Sequence, residues 1–183
     1  VYLISTAAEL AWLDREATSV SLPRAQELKD FDARLTADID MSGYDWIPIS
    51  PRNDNSAGYV YSSARTYYSG GAYSGTFDGD GHTITNLKIE ITNPYKYGGR
   101  FDAVGLFGFV KEAAIKDLGI TGSIKITDNI YSTIGEWMCA GAVAGFATTS
   151  TITGCYTDID IDVHMERGAN GAVKYANPCD SFV

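Results

Sequence analysis

The stretch Ile115-Lys-Asp-Leu-Gly-Ile120 recurs as Ile152-Thr-Gly-Cys-Tyr-Thr157, and Ile84-Thr-Asn-Leu-Lys-Ile89 resembles both. After the turn in each copy, apolar residues fall at every second position, which is the spacing of a β-strand rather than a helix. A unit of turn, short strand, turn and longer strand cannot bury its own apolar face, whereas stacked units bury a continuous core. The pattern therefore predicts an all-β chain folded as a stack of β-coils.

The second and third copies match at six positions, all 37 residues apart. The matched pairs are Gly108 with Gly145, Phe109 with Phe146, Ile115 with Ile152, Leu118 with Cys155, Ile124 with Ile161, and Ile126 with Val163. If the first copy is aligned by Ile84 and Leu87, two inward columns follow: Ile84, Ile115 and Ile152, and Leu87, Leu118 and Cys155. The strands of a β-sandwich, which also alternate between turns, are the other interpretation.

Composition fits one exported domain over residues 1–183, because this length is ample for one core and short for two. The formal net charge of −9 repels phosphate backbones, so nucleic acid is a poor partner. No apolar run approaches the roughly 20 residues that span a bilayer, so we expect no membrane span in this segment. The sequence contains no signal peptide, and export would require one outside it. No cofactor is expected.

The first 30 residues are predicted to form a helical cap. Thr6-Ala-Ala-Glu9 has the spacing of a capping box and opens a run with Leu10 and Leu13 on one face. An amphipathic helix there would cover the exposed end of the first coil. A second helical stretch is predicted between Ser21 and Leu28, and residues 31–183 are assigned to coils, with 35–41 as the first coil strand. Because residues 171–183 look like the approach to another coil, we expect a fragment of a longer protein and contacts with flanking domains of the same polypeptide.

The three cysteines do not form a metal site, because they are not clustered and both histidines are remote from them in sequence. Cys155 occupies an inward position and is interpreted as a small buried apolar residue. Pairing of Cys139 with Cys179 is left open, since the sequence does not supply the geometry.

Four segments resemble the GLUG-motif repeats of large bacterial surface proteins and of some secreted IgA-cleaving metallopeptidases. They are residues 2–13, residues 35–43 with Trp46 to Ile49, Gly75-Thr-Phe-Asp-Gly-Asp-Gly-His-Thr-Ile84, and Gly105-Leu-Phe-Gly108. The resemblance implies a parallel, right-handed β-helix with an N-terminal capping helix, displayed on a bacterial cell surface or secreted. It transfers no catalytic residue, because the sequence His-Glu-x-x-His of those metallopeptidases is absent here.

Two sets of carboxylates are candidates for chemistry. Residues 78–82, Asp-Gly-Asp-Gly-His, suggest a calcium loop or an acid/base pair, but a tight turn in which Gly79 and Gly81 adopt positive φ explains them better. Asp158, Asp160 and Asp162 alternate with apolar residues and lie on the outside of one strand, where they keep an exposed sheet soluble or serve an enzyme. Since no Lys or Arg lies beside them in sequence, we assign no catalytic residue and no metal ligand.

Aromatic residues are concentrated in two unpatterned insertions, residues 44–73 and 95–101. Tyr and Trp give large, rigid contact faces, and the surrounding Ser, Asn and Gly supply adaptable hydrogen bonds. About half of the rings, Trp46 first, are expected to pack on the coil beneath. The candidate ligand-binding residues are Tyr59, Tyr61, Tyr67, Tyr68, Tyr73, Tyr95, Tyr97 and Arg100.

These observations predict a non-catalytic, adhesin-like extracellular module that binds a glycan or a host or surface protein through its aromatic loops. The alternative is a polysaccharide-active β-helix enzyme, a lyase or hydrolase, or its accessory carbohydrate-binding domain. Ice binding by Thr148, Thr149, Thr151 and Thr153 is weaker, because Lys111 and Lys116 interrupt the same face.

Overall fold

A computed structural model describes residues 1–18, 31–50, 58–61, 66–69, 72–92, 103–128 and 139–165. In these ranges the chain is mostly β-strand, with the helix α1 near its start. No helix in the described ranges is both long and apolar enough to cross a membrane. The elements are β1 (Tyr2–Ile4), α1 (Ala7–Thr18), β2 (Ala33–Leu35), β3 (Ile39–Asp40), β4 (Gly58–Tyr61), β5 (Thr66–Ser69), β6 (Thr76–Asp78), β7 (Thr83–Thr92), β8 (Ala103–Val104), β9 (Phe107–Lys111), β10 (Ala114–Lys116), β11 (Gly119–Asp128), β12 (Cys139–Ala140), β13 (Ala144–Thr148), β14 (Thr151–Thr153) and β15 (Tyr156–Met165).

Apart from the hairpin β4–β5, all strands pair in parallel. A five-stranded sheet has the order β1-β2-β6-β10-β14, and a four-stranded sheet has the order β15-β11-β7-β3. Two further pairs are β8 with β12 and β9 with β13. The chain crosses these sheets in the same sequence each time: β8 to β11 form one pass, and β12 to β15 form the next. Parallel neighbours therefore come from successive passes.

The register confirms the 37-residue separation in the second half of the chain. Ile115 pairs with Ile152, Phe109 with Phe146, and Ile124 with Ile161. In the pair β8–β12 the sequence separation is one residue shorter, because Cys139 lies opposite Ala103. The predicted constant offset is thus correct for three of the four strand pairs, and the difference falls before β13.

The predicted alignment of the first copy is wrong. Ile115 pairs with Phe77, not with Ile84, and Ile84 instead lies between Ile39 and Ile120. Leu87 lies opposite Gly122, where the ladder of β7 and β11 shifts register at a bulge. Alternation alone does not show whether an apolar residue belongs to the short strand before the turn or to the long strand after it.

One apolar core runs through the successive passes. Ile84, Leu87 and Leu118 are fully buried, as predicted for inward positions. The last pass differs: Ile152, Cys155 and Ile159 are only partly buried and pack against the edge of the core. The main buried side chains are Leu10, Leu13, Leu35, Ile39, Met41, Ile49, Phe77, Ile89, Leu106, Phe107, Val110, Ile120, Ile124 and Ile126.

The predicted capping box is present at the start of α1. Thr6 Oγ1 accepts a hydrogen bond from Glu9 N (3.2 Å), and Glu9 Oε2 accepts bonds from Ser5 N (2.7 Å) and Thr6 N (3.0 Å). The bonds from Ser5 and Thr6 lower the pKa of Glu9. Leu10 and Leu13 are buried in the core, as expected for a cap. The predicted helical stretch of residues 21–28 lies outside the described residues.

Two strand assignments at the N-terminal end need correction. Residues 2–4, assigned to the cap, form β1, which pairs with β2 and places Tyr2 opposite Ala33. Residues 35–41, predicted as one strand, bend between β2 and β3, so this segment turns from the five-stranded to the four-stranded sheet. Leu35 and Met41 are nevertheless both buried.

Candidate binding surfaces

The long aromatic insertion begins and ends at neighbouring positions of one hydrogen-bonded ladder, which lies beside β9. Ile49 bridges to Phe107, and Tyr73 bridges to Val110. Between these bridges, Phe109 N donates to Ser50 O (2.7 Å) and Tyr73 N donates to Phe109 O (2.9 Å). The ladder beside β9 therefore passes from Ser50 to Tyr73, and residues 51–72 are inserted between these two positions.

The insertion contains an antiparallel hairpin, which the sequence did not reveal. In it, β4 pairs with β5, with Tyr59 opposite Tyr68 and Val60 opposite Tyr67. The structure thus brings four of the predicted ligand-binding residues, Tyr59, Tyr61, Tyr67 and Tyr68, into one two-stranded unit. Tyr95, Tyr97 and Arg100 lie outside the described residues, and their binding role stays a prediction.

Tyr73 does not belong to the binding surface. Its side chain is fully buried, and its hydroxyl donates to Phe31 O at 2.9 Å. The ring stacks on Phe107 at a centroid distance of 4.7 Å and contacts Phe31 at 4.9 Å. Burial raises the pKa of Tyr73 far above its usual range. Because Tyr73 resumes the ladder after the insertion, its side chain points into the core, where no ligand reaches it.

Trp46 is buried, as predicted. Its side chain is 3% exposed, and Nε1 donates to Leu106 O at 3.0 Å. Tyr44, two residues earlier, is 40% exposed. The aromatic residues of this region therefore divide between the core and the surface.

The segment from Asp78 to His82 is a turn, as predicted. Asp78 Oδ1 accepts a hydrogen bond from Asp80 N (3.0 Å), and Asp80 and Gly81 have φ of 50° and 81°. Gly79 serves a different purpose than predicted: a Cβ there would lie 2.3 Å from Asp117 O, so close approach of the next pass requires glycine.

Ion pairs link this turn to the neighbouring passes. Lys116 Nζ lies 3.0 Å from Asp78 Oδ2, and Arg34 Nη2 lies 2.7 Å from Asp80 Oδ1. Partial burial is the largest single influence on the pKa of Asp78 and raises it. The hydrogen bonds from Lys116 and Asp80 N and the positive charges of Lys116 and Arg34 together outweigh burial, and the pKa is lowered. Within the described residues, no group of three or more His, Cys, Asp and Glu side chains is placed to hold a metal ion.

Asp158, Asp160 and Asp162 lie exposed on β15. Their register partners on β11 are Thr121, Ser123 and Lys125. Lys125 thus lies beside Asp162 in the sheet, although it is remote in sequence. The threonines considered for ice binding lie beside Lys111 and Lys116, as expected, since Thr148 and Thr153 pair with them.

A polar corner around Tyr156 was missed by sequence reasoning. The Tyr156 and Thr83 hydroxyl oxygens are 2.7 Å apart. Thr83 N donates to Asp38 Oδ1 (2.9 Å), and His82 Nδ1 lies 3.3 Å from the same oxygen. The hydrogen bond from Thr83, followed by that with His82, lowers the pKa of Asp38. One signal was available, because the 37-residue separation places Tyr156 beside Gly119.

Cys155 has a free thiol and is half-buried. Burial raises the pKa of this thiol, which is the expected behaviour of a packed rather than a reactive cysteine. Cys139 is buried. Cys139 forms a disulfide bond. Cys179, whose pairing with Cys139 the sequence left open, lies outside the described residues.

Comparison with known proteins finds a partial similarity to halomucin of Haloquadratum walsbyi. The two sequences are 29% identical over 153 residues, which cover 84% of this chain and 1% of halomucin. The chain thus spans about one hundredth of the length of this relative. No protein-family model matches the chain, and no solved structure shows significant similarity to it.

Proposed function

We propose that this chain is a non-catalytic extracellular surface module, in which a parallel β-helix displays the insertion of residues 51–72, with its hairpin β4–β5, to bind a glycan or protein partner. The observation that carries the proposal is the continuous ladder from Ser50 to Tyr73 beside β9. The ladder beside β9 does not need this insertion, although β5 contacts α1. Long insertions of this kind usually carry function.

The β-helix part of the proposal rests on the repeated order of strands. From β2 onward, each pass adds a parallel strand to the five-stranded sheet and then one to the four-stranded sheet. The separation of paired residues is 44 between Ala33 and Phe77, 38 between Phe77 and Ile115, and 37 between Ile115 and Ile152. A right-handed winding, as predicted from the GLUG-motif resemblance, is the usual hand of parallel crossovers. A scaffold of this kind fixes the position of whatever it displays.

The binding part rests on the hairpin. Four of the eight ladder positions of the hairpin are tyrosines, and two of these, Tyr59 and Tyr68, are register partners. Tyrosine is the residue type that binding surfaces use for large contacts at low entropic cost. With a net charge of −9, the favoured partners are neutral glycans or proteins with a basic surface.

The extracellular location in this proposal also draws on two similarities. The name halomucin describes a mucin-type protein, and mucins are extracellular. The GLUG-motif resemblance adds surface proteins of similar repeat design. Glycan arrays and binding to immobilised cell-surface proteins, both with the full chain, are the direct way to find the partner.

Substitution of Tyr67 and Tyr68 by Ala tests the hairpin as the binding element. We expect at least about tenfold weaker binding of the identified partner, because aromatic anchors commonly contribute more than 1 kcal/mol each. The melting temperature should hardly change, since the hairpin lies outside the continuous ladder. Isothermal titration and circular dichroism measure the two effects.

A triple Asn variant of Asp158, Asp160 and Asp162 serves as the control and should bind normally. The enzyme alternative predicts the reverse: turnover of a polysaccharide by the native chain that disappears in the Asn variant. Observation of that turnover, or unchanged binding after loss of both tyrosines, would contradict the proposal.

A further inference from the structure

We propose that a second binding site, for a neutral sugar ring, lies on the outer face of the four-stranded sheet around Tyr156. The site, called here the Tyr156 corner, consists of Asp38, His82, Thr83, Gly119 and Tyr156. Asp38 precedes β3, His82 and Thr83 are at the start of β7, and the other two residues begin β11 and β15. The corner thus draws on four successive passes, and it stands independently of the hairpin.

Tyr156 lies along the sheet rather than projecting from it. A Cβ on Gly119 would be 2.5 Å from Tyr156 Cε1 and 2.6 Å from Cζ, so the ring occupies the space that a side chain at position 119 would fill. The hydroxyl reaches across β11 to Thr83 Oγ1 on β7. One face of the ring therefore rests on the backbone of β11, while the residue remains 57% exposed.

An aromatic ring held flat with one face open is a platform for the apolar face of a pyranose. The Tyr156 hydroxyl is fixed by its hydrogen bond, so little conformational entropy is lost when a ligand stacks on the ring. Backbone hydrogen bonds, such as the one from Tyr156 N to Leu118 O (3.0 Å), already join β15 to the neighbouring pass. The exposed ring is thus not needed to close the ladder.

The rim of the corner supplies hydrogen-bonding groups for sugar hydroxyls. Asp38 binds Thr83 N through Oδ1, and its side chain is still 75% exposed. The His82 side chain, at 32% exposure, is held against the same oxygen. Both Asp38 and Tyr156 are anchored to Thr83, so carboxylate and ring stand side by side on one rigid element.

Charge selects a neutral ligand. Asp38 is an acceptor that favours hydroxyl donors, and Asp158 follows Tyr156 on the same outer face of β15. The chain as a whole has a formal net charge of −9. A uronate or sulfated sugar would be repelled at this place, whereas a neutral hexose offers both hydroxyl donors and an apolar ring face.

The test is saturation-transfer NMR with the full chain and four probes: cellotetraose, mannotetraose, galactotetraose and, as the anionic comparison, tetragalacturonate. At least one neutral tetrasaccharide should bind, and Tyr156→Ala should weaken that binding at least about tenfold. Gly119→Ala should weaken it as well, although the tyrosine is retained, because the added methyl group displaces the ring. The atoms it meets are movable side-chain atoms of Tyr156 and Thr83, so the fold should persist.

Tyr44→Ala, which removes an exposed tyrosine elsewhere, is the matched control and should bind like the native chain. Melting curves confirm that each variant is folded. The inference is overturned if no neutral probe binds, if tetragalacturonate binds best, or if folded Tyr156→Ala and Gly119→Ala variants bind as the native chain does. It is also overturned, with the hairpin proposal left intact, if Tyr67 and Tyr68 substitutions abolish sugar binding and Tyr156→Ala does not.

Discussion

Strands β11 and β15 have the same length and the same alternation of apolar residues, but they differ in burial. Ile124 and Ile126 on β11 are fully buried, whereas their register partners Ile161 and Val163 on β15 are 45% and 40% exposed. In the described structure β11 lies between β7 and β15, while β15 is the outermost strand of its sheet. Burial of an inward residue thus depends on the passes on both sides, not on its own periodicity.

The largest expected effect comes from truncation of the matched isoleucines. Ile124→Ala should lower the free energy of unfolding by about 2–5 kcal/mol, because it leaves a cavity in a closed core. Ile161→Ala should cost less than about 1 kcal/mol, because its side chain is already half in water and leaves no closed cavity. Urea denaturation of both variants measures the difference. Equal losses would show that β15 is covered as completely as β11.

Acidification is expected to lower the free energy of unfolding by a smaller amount. Asp38 and Asp78 accept hydrogen bonds from residues of the neighbouring passes, and both have pKa values lowered in the folded state. The two carboxylates stabilise the fold fully at a pH above their pKa in the unfolded chain. This contribution is lost as the pH falls through their lower pKa in the folded chain. The free energy of unfolding should therefore decrease from about pH 5 toward about pH 2.

Asp78→Asn isolates one of these contacts. The variant should be less stable than the native chain near neutral pH and should lose less stability on acidification, since it no longer has a carboxylate to protonate. Urea denaturation across this pH range is the measurement. An unchanged slope with pH would mean that the pair of Asp78 and Lys116 does not contribute.

Local signals in the sequence predicted the local structure well. The capping box of Thr6 and Glu9 specifies its own hydrogen bonds, and the match of Ile115 with Ile152 specifies a strand register. These signals depend on neighbouring residues or on a constant repeat length, both of which can be read directly from the chain.

The remaining features depend on how strands of different passes pair and which of their residues come together. The spacing of Ile84 and Leu87 equals that of Ile115 and Leu118, but Ile84 belongs to the long strand β7 and pairs with Ile120, so an alignment by apolar spacing placed it in the wrong column. Tyr73 looked like a loop residue because only the bridge to Val110 shows that the ladder resumes there. The Tyr156 corner combines residues of four passes, and no single segment of sequence contains it.

The most direct test of the account is replacement of residues 51–72 by a single glycine. Ile49 and Tyr73 bridge to Phe107 and Val110, so Ser50 and one glycine restore the residue count of β9. This variant should fold with a melting temperature close to that of the native chain and should lose binding of the hairpin's partner. A variant that fails to fold, or that folds and binds the partner as before, would contradict it.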